Sequence, residues 1–200
     1  MPNLPNSITL ARIALVVVFT VAISIAPKHE WGYPLALFSF LLAAFSDWLD
    51  GFLARKLKLV TTFGKLIDPL ADKIAVSAAI IYLTAVGYCP VWASILIIGR
   101  EFLVTGIRQI AQDHQIIIAA DRSGKWKTVF QLAFCTGGLL VMMTTRTSII
   151  FPNWISSLSY LCDPTLCGAN LYNLTFWGSI ILTVWSGTFY CVKARKFLFQ

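Results

Sequence analysis

Four carboxylates are crowded into one short stretch of a strongly apolar chain. Four of its nine acidic residues lie within 26 positions, at the ends of apolar segments: Asp47, Asp50, Asp68 and Asp72. A carboxylate in or beside a bilayer is costly, so an acid in such a place indicates a functional site. A spacing of three puts the first pair on one helix face, and a spacing of four does the same for the second.

Small residues accompany both pairs. Gly51 and Ala54 share the face of the first pair, and Gly64 lies one turn before Asp68. Small side chains let two membrane helices approach closely. The pattern therefore predicts two touching helices with four carboxylates converging at their ends.

Four neighbouring carboxylates cannot all stay ionised without cations. Oxygen ligands favour Mg²⁺ or Mn²⁺, and two such ions can clamp the attacking and leaving oxygens of phosphoryl transfer. Residues 47–72 contain no Asn, His or Cys, which argues against zinc. The alternative is a structural role, in which these acids pair with nearby Arg and Lys side chains.

Eight residues in this stretch resemble, in type and spacing, the motif of the CDP-alcohol phosphatidyltransferase family. These residues are Asp47, Asp50, Gly51, Ala54, Arg55, Gly64, Asp68 and Asp72. The resemblance implies that the four aspartates bind two divalent ions and that Asp72 is the general base. It implies that Gly51 and Arg55, with Asn6 and Thr9 near the N-terminus, bind CDP-diacylglycerol. Asn6 also suits a helix cap, and both roles are compatible. A homodimer is implied by the resemblance alone.

Composition indicates a polytopic membrane protein. The 200 residues are 58% hydrophobic and 12% charged, against about 25% charged in soluble domains. We expect one all-α domain over 1–200, a six-helix membrane bundle with a polar active-site cavity facing the cytoplasm. Each predicted span is close to the ~20 residues that a bilayer requires: 8–26, 34–54, 66–87, 91–111, 126–146 and 171–192. Residues 147–170 are predicted to be a long loop, and the N-terminus lacks the basic leader of a cleaved signal peptide.

Positive charge predicts the orientation. Of the 16 Lys and Arg residues, only Lys28 and Arg146 fall on the side opposite the termini. The positive-inside rule therefore puts both termini and the carboxylates in the cytoplasm. Six aromatic residues near the outer span ends are predicted to be interfacial anchors: Trp31, Tyr33, Trp154, Tyr160, Tyr172 and Trp177.

A second group of charges lies near the cytoplasmic ends of the fourth and fifth spans. Its cations outnumber the nearby acids: Arg100, Arg108, Lys125 and Lys127. A guanidinium fork suits a phosphate, so we expect these cations to bind the phosphate of an acceptor substrate. A purely structural network is the alternative, in which Arg100 pairs with Glu101 or Asp72.

The segments 99–109 and 124–128, and residues 5–13, resemble the bacterial phosphatidylglycerophosphate synthase branch of the family. That branch implies transfer of a phosphatidyl group from CDP-diacylglycerol to sn-glycerol 3-phosphate at the inner membrane of a bacterial cell. It also implies membrane lipids as surroundings and no nucleic-acid partner. A sibling enzyme that uses an inositol phosphate or serine remains an alternative. A transporter built on buried acids is another, although the second half of the chain has no matching acid cluster. Cys162 and Cys167 share a loop and are as readily free as paired.

Overall fold

A computed structural model of the chain describes the backbone of residues 4–57, 62–113, 122–164 and 170–198. Side chains are described for 10–46, 73–111, 124–164 and 170–195. Within these ranges all the regular structure is α-helical. The helices are α1 Leu4–Ile25, α2 Gly32–Leu57, α3 Thr62–Ala85, α4 Val91–Asp113, α5 Arg122–Arg146, α6 Asn153–Leu161 and α7 Leu171–Leu198. The all-α prediction is confirmed for the described residues, and the six predicted spans fall on α1–α5 and α7.

Helix α6 corrects the prediction of a loop over 147–170. It begins after Pro152 and has nine residues, so it is too short to produce a membrane-span signal. The backbone N–H of Cys162 donates to the carbonyl oxygens of Leu158 and Ser159, which closes the helix.

Helices α1 and α2 form a tightly packed antiparallel pair. Phe19, Ala22 and Ile23 of α1, and Ala26 directly after it, recur at three- and four-residue spacing and are 1–5% exposed. Gly32 lies against this surface, where an added Cβ would stand 2.6 Å from the carbonyl oxygen of Ala22. Only glycine permits so close a backbone approach.

Helix α5 occupies the centre of the bundle. It contacts α2, α3, α6 and α7, so it is covered on several sides. Phe134, Cys135, Leu139 and Met142 are at most 2% exposed and lie on one face, and all seven residues from Gly137 to Met143 are buried, so this stretch is covered around its whole circumference. A helix that is apolar on most of its circumference is expected in such a position.

Hydrogen bonds tie several connections together at one end of the bundle. Gly87, at φ +81°, makes the turn between α3 and α4. The Tyr172 hydroxyl donates to the carbonyl of Tyr88 at 2.8 Å, and the Ser148 N–H donates to Glu30 Oε2 at 2.7 Å. The ends of α3, α4, α5 and α7 that carry the predicted site therefore lie at the opposite end.

Two helices of the described part are long and apolar enough to cross a bilayer, judged by length and composition. These are the segments Gly124–Arg146 of α5 and Leu171–Arg195 of α7. Shorter apolar stretches occur at Leu10–Ile25, Gly32–Ser46 and Lys73–Ala85.

Candidate active site

The predicted metal-binding acids lie on two helices that contact each other. Asp47 and Asp50 belong to α2, and Asp68 and Asp72 belong to α3. Because both segments are helical, the two residues of each pair lie on the same face of their helix, as the spacing predicts. Their side chains lie outside the described residues, so the convergence of the four carboxylates stays a prediction.

The residues predicted to bind the donor also fall outside the described side chains. Asn6 and Thr9 belong to the first turns of α1, and Gly51 and Arg55 belong to α2. Among the side chains that are described, no three His, Cys, Asp or Glu residues come together.

Glu101 is the anion around which the predicted acceptor cations gather. Its Oε1 forms an ion pair with Lys127 Nζ, and its Oε2 lies 3.6 Å from Arg100 Nη1. The Lys127 side chain is 3% exposed and that of Arg100 is 11% exposed. Burying such charges is costly unless they are paired, which accounts for the position of Glu101 between α4 and α5.

Helix α7 supplies partners for both arginines of α4. Arg100 Nη2 donates to Ser186 Oγ, and Arg108 Nη2 donates to the hydroxyl of Tyr190. The Arg108 guanidinium also lies over the Tyr190 ring, 4.8 Å from its centroid. Ser186 and Tyr190 are fully buried and one helical turn apart. They hold the two guanidinium groups on the same side of the bundle.

We call Arg100, Arg108 and Lys127 the cation cluster. Lys125, the fourth predicted cation, is exposed and makes no ion pair with another described residue. It precedes Lys127 by two positions and therefore projects from a different face of α5. The structure thus brings three of the four predicted residues together and leaves Lys125 apart from them.

Lys73 extends the polar region onto α3. Its Nζ donates to the Thr105 hydroxyl, which in turn donates to the carbonyl oxygen of Glu101 at 2.7 Å. Lys73 follows Asp72 directly in the chain. The helix that carries the predicted catalytic carboxylate is therefore joined to the helix that carries the cation cluster.

A polar cavity of about 40 Å³ lies where α3, α4 and α5 meet. Its polar lining residues are Lys73, Ser77, Glu101, Thr128 and Gln131, and apolar side chains of α3 and α4 complete the wall. Gln131 is 3% exposed, and its Nε2 has no hydrogen-bond partner among the described residues. We call this space the α3–α5 cavity.

The charge balance of the cation cluster favours an anionic ligand. Its three cations face one carboxylate, Glu101, among the described side chains. A phosphate dianion would reduce the remaining positive charge, and the arginines can offer it forked donors. The Arg100–Glu101 contact is the structural alternative that the sequence also offered. The cluster therefore contains an internal ion pair, and its cations outnumber the acids among the described side chains.

Sequence reasoning missed the contributions of Ser186, Tyr190 and Gln131. Serine and tyrosine four residues apart on α7 were the available signal, because that spacing places both on one face. Gln131 was likewise visible as an amide within a membrane span. Neither pattern reveals its partners, because these lie on helices distant in the chain.

A family model and several known proteins match this chain. A family model for CDP-alcohol phosphatidyltransferases matches residues 2–185. The chain belongs to the CDP-alcohol phosphatidyltransferase family. The matched segment contains the four aspartates and the whole cation cluster, whereas Ser186 and Tyr190 follow its end.

Three relatives of the CDP-alcohol phosphatidyltransferase family carry essentially the same name, CDP-diacylglycerol–glycerol-3-phosphate 3-phosphatidyltransferase. A Bacillus subtilis protein is 39% identical over 96% of this chain and 94% of its own length. A Rickettsia felis protein is 30% identical over 98% of this chain and 97% of its own. An Arabidopsis thaliana protein, numbered 1 and termed chloroplastic/mitochondrial, is 32% identical over 99% of this chain and 64% of its own.

Proposed function

We propose that this chain transfers the phosphatidyl group of CDP-diacylglycerol to sn-glycerol 3-phosphate, forming phosphatidylglycerol phosphate and releasing CMP. The observation that carries the proposal is the near full-length similarity to relatives named for this reaction, at 39% identity over 96% of the chain. That similarity includes the flanking segments around the cation cluster as well as the aspartates. The activity is a step of phospholipid biosynthesis.

Two divalent ions, Mg²⁺ or Mn²⁺, fit the donor set of α2 and α3. All four candidate ligands are carboxylates, which are the oxygen donors that these ions prefer. Asp47, Asp50, Asp68 and Asp72 would hold the ions, and the contact between α2 and α3 supports this assignment. Bound metal would neutralise the donor's pyrophosphate and the charge that develops on departing CMP.

Asp72 acts as the general base in this scheme. Its carboxylate accepts the proton of the acceptor's primary hydroxyl, whose oxygen attacks the β-phosphorus of the donor. The phosphorus–oxygen bond to CMP then breaks, and CMP leaves with the electron pair. A general base within hydrogen-bond reach of the attacking hydroxyl accelerates such a reaction by about 10²–10⁴-fold. If Asp72 also ligates metal, its basicity is lower.

The donor and the acceptor are bound by different parts of the bundle. Asn6 and Thr9 of α1, with Gly51 and Arg55 of α2, hold the cytidine nucleotide and a donor phosphate. Gly51 has no side chain, so the nucleotide can approach the helix backbone.

The acceptor's phosphate binds to Arg100, Arg108, Lys125 and Lys127. The clustering of three of these cations supports the assignment, and exposed Lys125 would act from the rim. Lys73 links this region to the helix of Asp72, which supports a short path between the acceptor phosphate and the base.

The membrane arrangement follows the same reasoning. Six helices, α1–α5 and α7, cross the membrane, and both termini and the polar cavity face the cytoplasm of a bacterial cell. Successive helices run in opposite directions. The contact between Glu30, which follows α1, and Ser148, which follows α5, puts these two connections together at the end away from the cations, and this supports the topology. The chain works as a homodimer among membrane lipids, and no nucleic acid takes part.

A panel of acceptors offered to the purified protein tests the proposal. With CDP-diacylglycerol present, CMP release should require sn-glycerol 3-phosphate and should not occur with serine or an inositol phosphate. Release with one of those acceptors instead would establish a sibling activity. Solute movement in vesicles without CMP release would establish a transporter.

A further inference from the structure

Gln131 is an amide on α5 whose NH₂ group is buried without a hydrogen-bond partner among the described residues. It is 3% exposed, and it is one of the residues that line the α3–α5 cavity. An unpaired buried donor costs about 1–3 kcal/mol. Leucine or methionine at this position would avoid that cost, so the amide is best explained by a ligand that it binds.

The α3–α5 cavity lies beside the residues that would bind the acceptor. Gln131 follows Lys127 by one turn on α5, and Glu101 both pairs with Lys127 and lines the cavity. On another side the cavity is lined by Lys73, the residue after Asp72. A short molecule that reaches from the cation cluster towards α3 would therefore pass the cavity.

The cavity suits a single hydroxyl group better than an ion. Its polar lining offers an amide donor, the carboxylate of Glu101 and the hydroxyls of Ser77 and Thr128. A hydroxyl can accept from the amide and donate to the carboxylate at the same time. A volume of about 40 Å³ is far smaller than the ~300–1,000 Å³ pockets of complete ligands.

We infer that Gln131 determines acceptor specificity by donating a hydrogen bond to the secondary hydroxyl of the phosphorylated polyol. This inference rests on the proposed function, because it assumes an acceptor with a phosphate at one end and the reacting hydroxyl at the other. The middle carbon of such an acceptor carries the hydroxyl that reaches the cavity. Gln131 then touches the substrate but takes no part in proton transfer.

The test compares two acceptors on three forms of the full-length protein. The acceptors are sn-glycerol 3-phosphate and 3-hydroxypropyl phosphate, which keeps the phosphate and the primary hydroxyl but lacks the secondary one. Wild type should prefer the first by about tenfold or more in kcat/KM, as expected for one buried hydrogen bond. Gln131→Met, which has a similar length and no amide, should bring the ratio of the two kcat/KM values close to one.

Thr183→Val is the matched control. Thr183 is 1% exposed on α7, and its hydroxyl also has no hydrogen-bond partner among the described residues, but it does not line the cavity. In Thr183→Val the ratio of the two kcat/KM values should equal that of wild type. If Gln131→Met cannot be purified, Gln131→Asn, which withdraws the amide by one methylene, should reduce the ratio.

Each result decides between the claims. The inference is overturned if the wild type shows no preference between the two acceptors. It is also overturned if a Gln131 variant keeps the wild-type ratio of kcat/KM values. Both results leave the proposed function intact. A change in thermal stability of Gln131→Met without a change in ratio also overturns it, because the amide is then structural. No CMP release with either acceptor overturns both claims.

Discussion

Lys127 and Glu101 form an ion pair that is almost enclosed by protein, with side-chain exposures of 3% and 17%. The pair joins α4 to α5, and Arg100 approaches the same carboxylate from α4. A buried cation that loses its partner is far more costly than the intact pair is stabilising. The stability of this region therefore depends on Glu101 more than on any one of the cations.

Replacing Glu101 with Gln should lower the free energy of unfolding by about 3–5 kcal/mol, because the buried ion pair between Glu101 and Lys127 is broken. Thermal unfolding of the purified protein in detergent measures the effect. Glu30→Gln is the control, since Glu30 is an exposed acid whose hydrogen bonds from Ser148 are also exposed, so its loss should shift Tm much less. Equal shifts for the two variants would show that Glu101 has no special structural role.

Arg108→Ala should raise KM for sn-glycerol 3-phosphate by about tenfold or more, because a charge-assisted hydrogen bond contributes about 1.5–3 kcal/mol. KM for CDP-diacylglycerol should change little. Arg108→Lys should restore only part of the loss, since an ammonium lacks the guanidinium fork.

The control for Arg108 is Arg195→Ala, an exposed arginine near the end of α7. It should leave both KM values unchanged. Equal increases for donor and acceptor in Arg108→Ala would argue against an acceptor site at the cation cluster.

Asp72→Asn should reduce kcat by about 10²–10⁴-fold, because an amide cannot accept the proton of the attacking hydroxyl. CMP release under saturating substrates measures the loss. Asp163→Asn, in the segment after α6, is the matched control and should retain wild-type turnover. Near-normal turnover of Asp72→Asn would reject Asp72 as the base.

Glu30 provides a pH-dependent contact at the end of the bundle away from the cations. Hydrogen bonds from the Ser148 hydroxyl and N–H hold the pKa of Glu30 below its ordinary value of 4.5. An acid with a lowered folded-state pKa stabilises the fold above its unfolded pKa, and this contribution is lost as the pH falls through the folded value.

Ser148→Ala should therefore lower Tm at pH 7, and the difference from wild type should shrink as the pH falls below 4.5. Ser157→Ala, at an exposed serine of α6, should show no such pH dependence. A Tm difference for Ser148→Ala that is constant from pH 7 to pH 3 would contradict the assignment.

Hydropathy predicted the long helices well, because apolar residues dominate each of them. The fourth span was predicted at 91–111 and is observed at Val91–Asp113. Helix α7 continues from the predicted end at 192 to Leu198, since a helix does not stop where polar residues begin. Helix α6 was missed because nine residues with serines at three positions do not resemble a span.

Tyr172 shows why burial was harder to predict than helix position. Its place near a span end indicated an interfacial anchor, but it is 3% exposed and donates to the carbonyl of Tyr88. Trp154, for which the same role was predicted, is 69% exposed. Both patterns look alike in sequence, because the difference lies in which helices pack around each residue.

The candidate site was predictable to a similar extent. Residue type and spacing selected the carboxylates and the cations as candidates, since both are rare in apolar segments, and three of the four cations are found together. The partners of the cations on α7, Ser186 and Tyr190, depend on contacts across more than 80 positions of chain. Such contacts are decided by packing of the whole bundle, which local patterns do not contain.

The most direct test of the account incubates the purified protein with CDP-diacylglycerol and labelled sn-glycerol 3-phosphate, with and without a chelator. We expect CMP and labelled phosphatidylglycerol phosphate in equal amounts with Mg²⁺ or Mn²⁺, and neither product after chelation. Release of CMP without a labelled lipid, or equal turnover in the presence of the chelator, would contradict it.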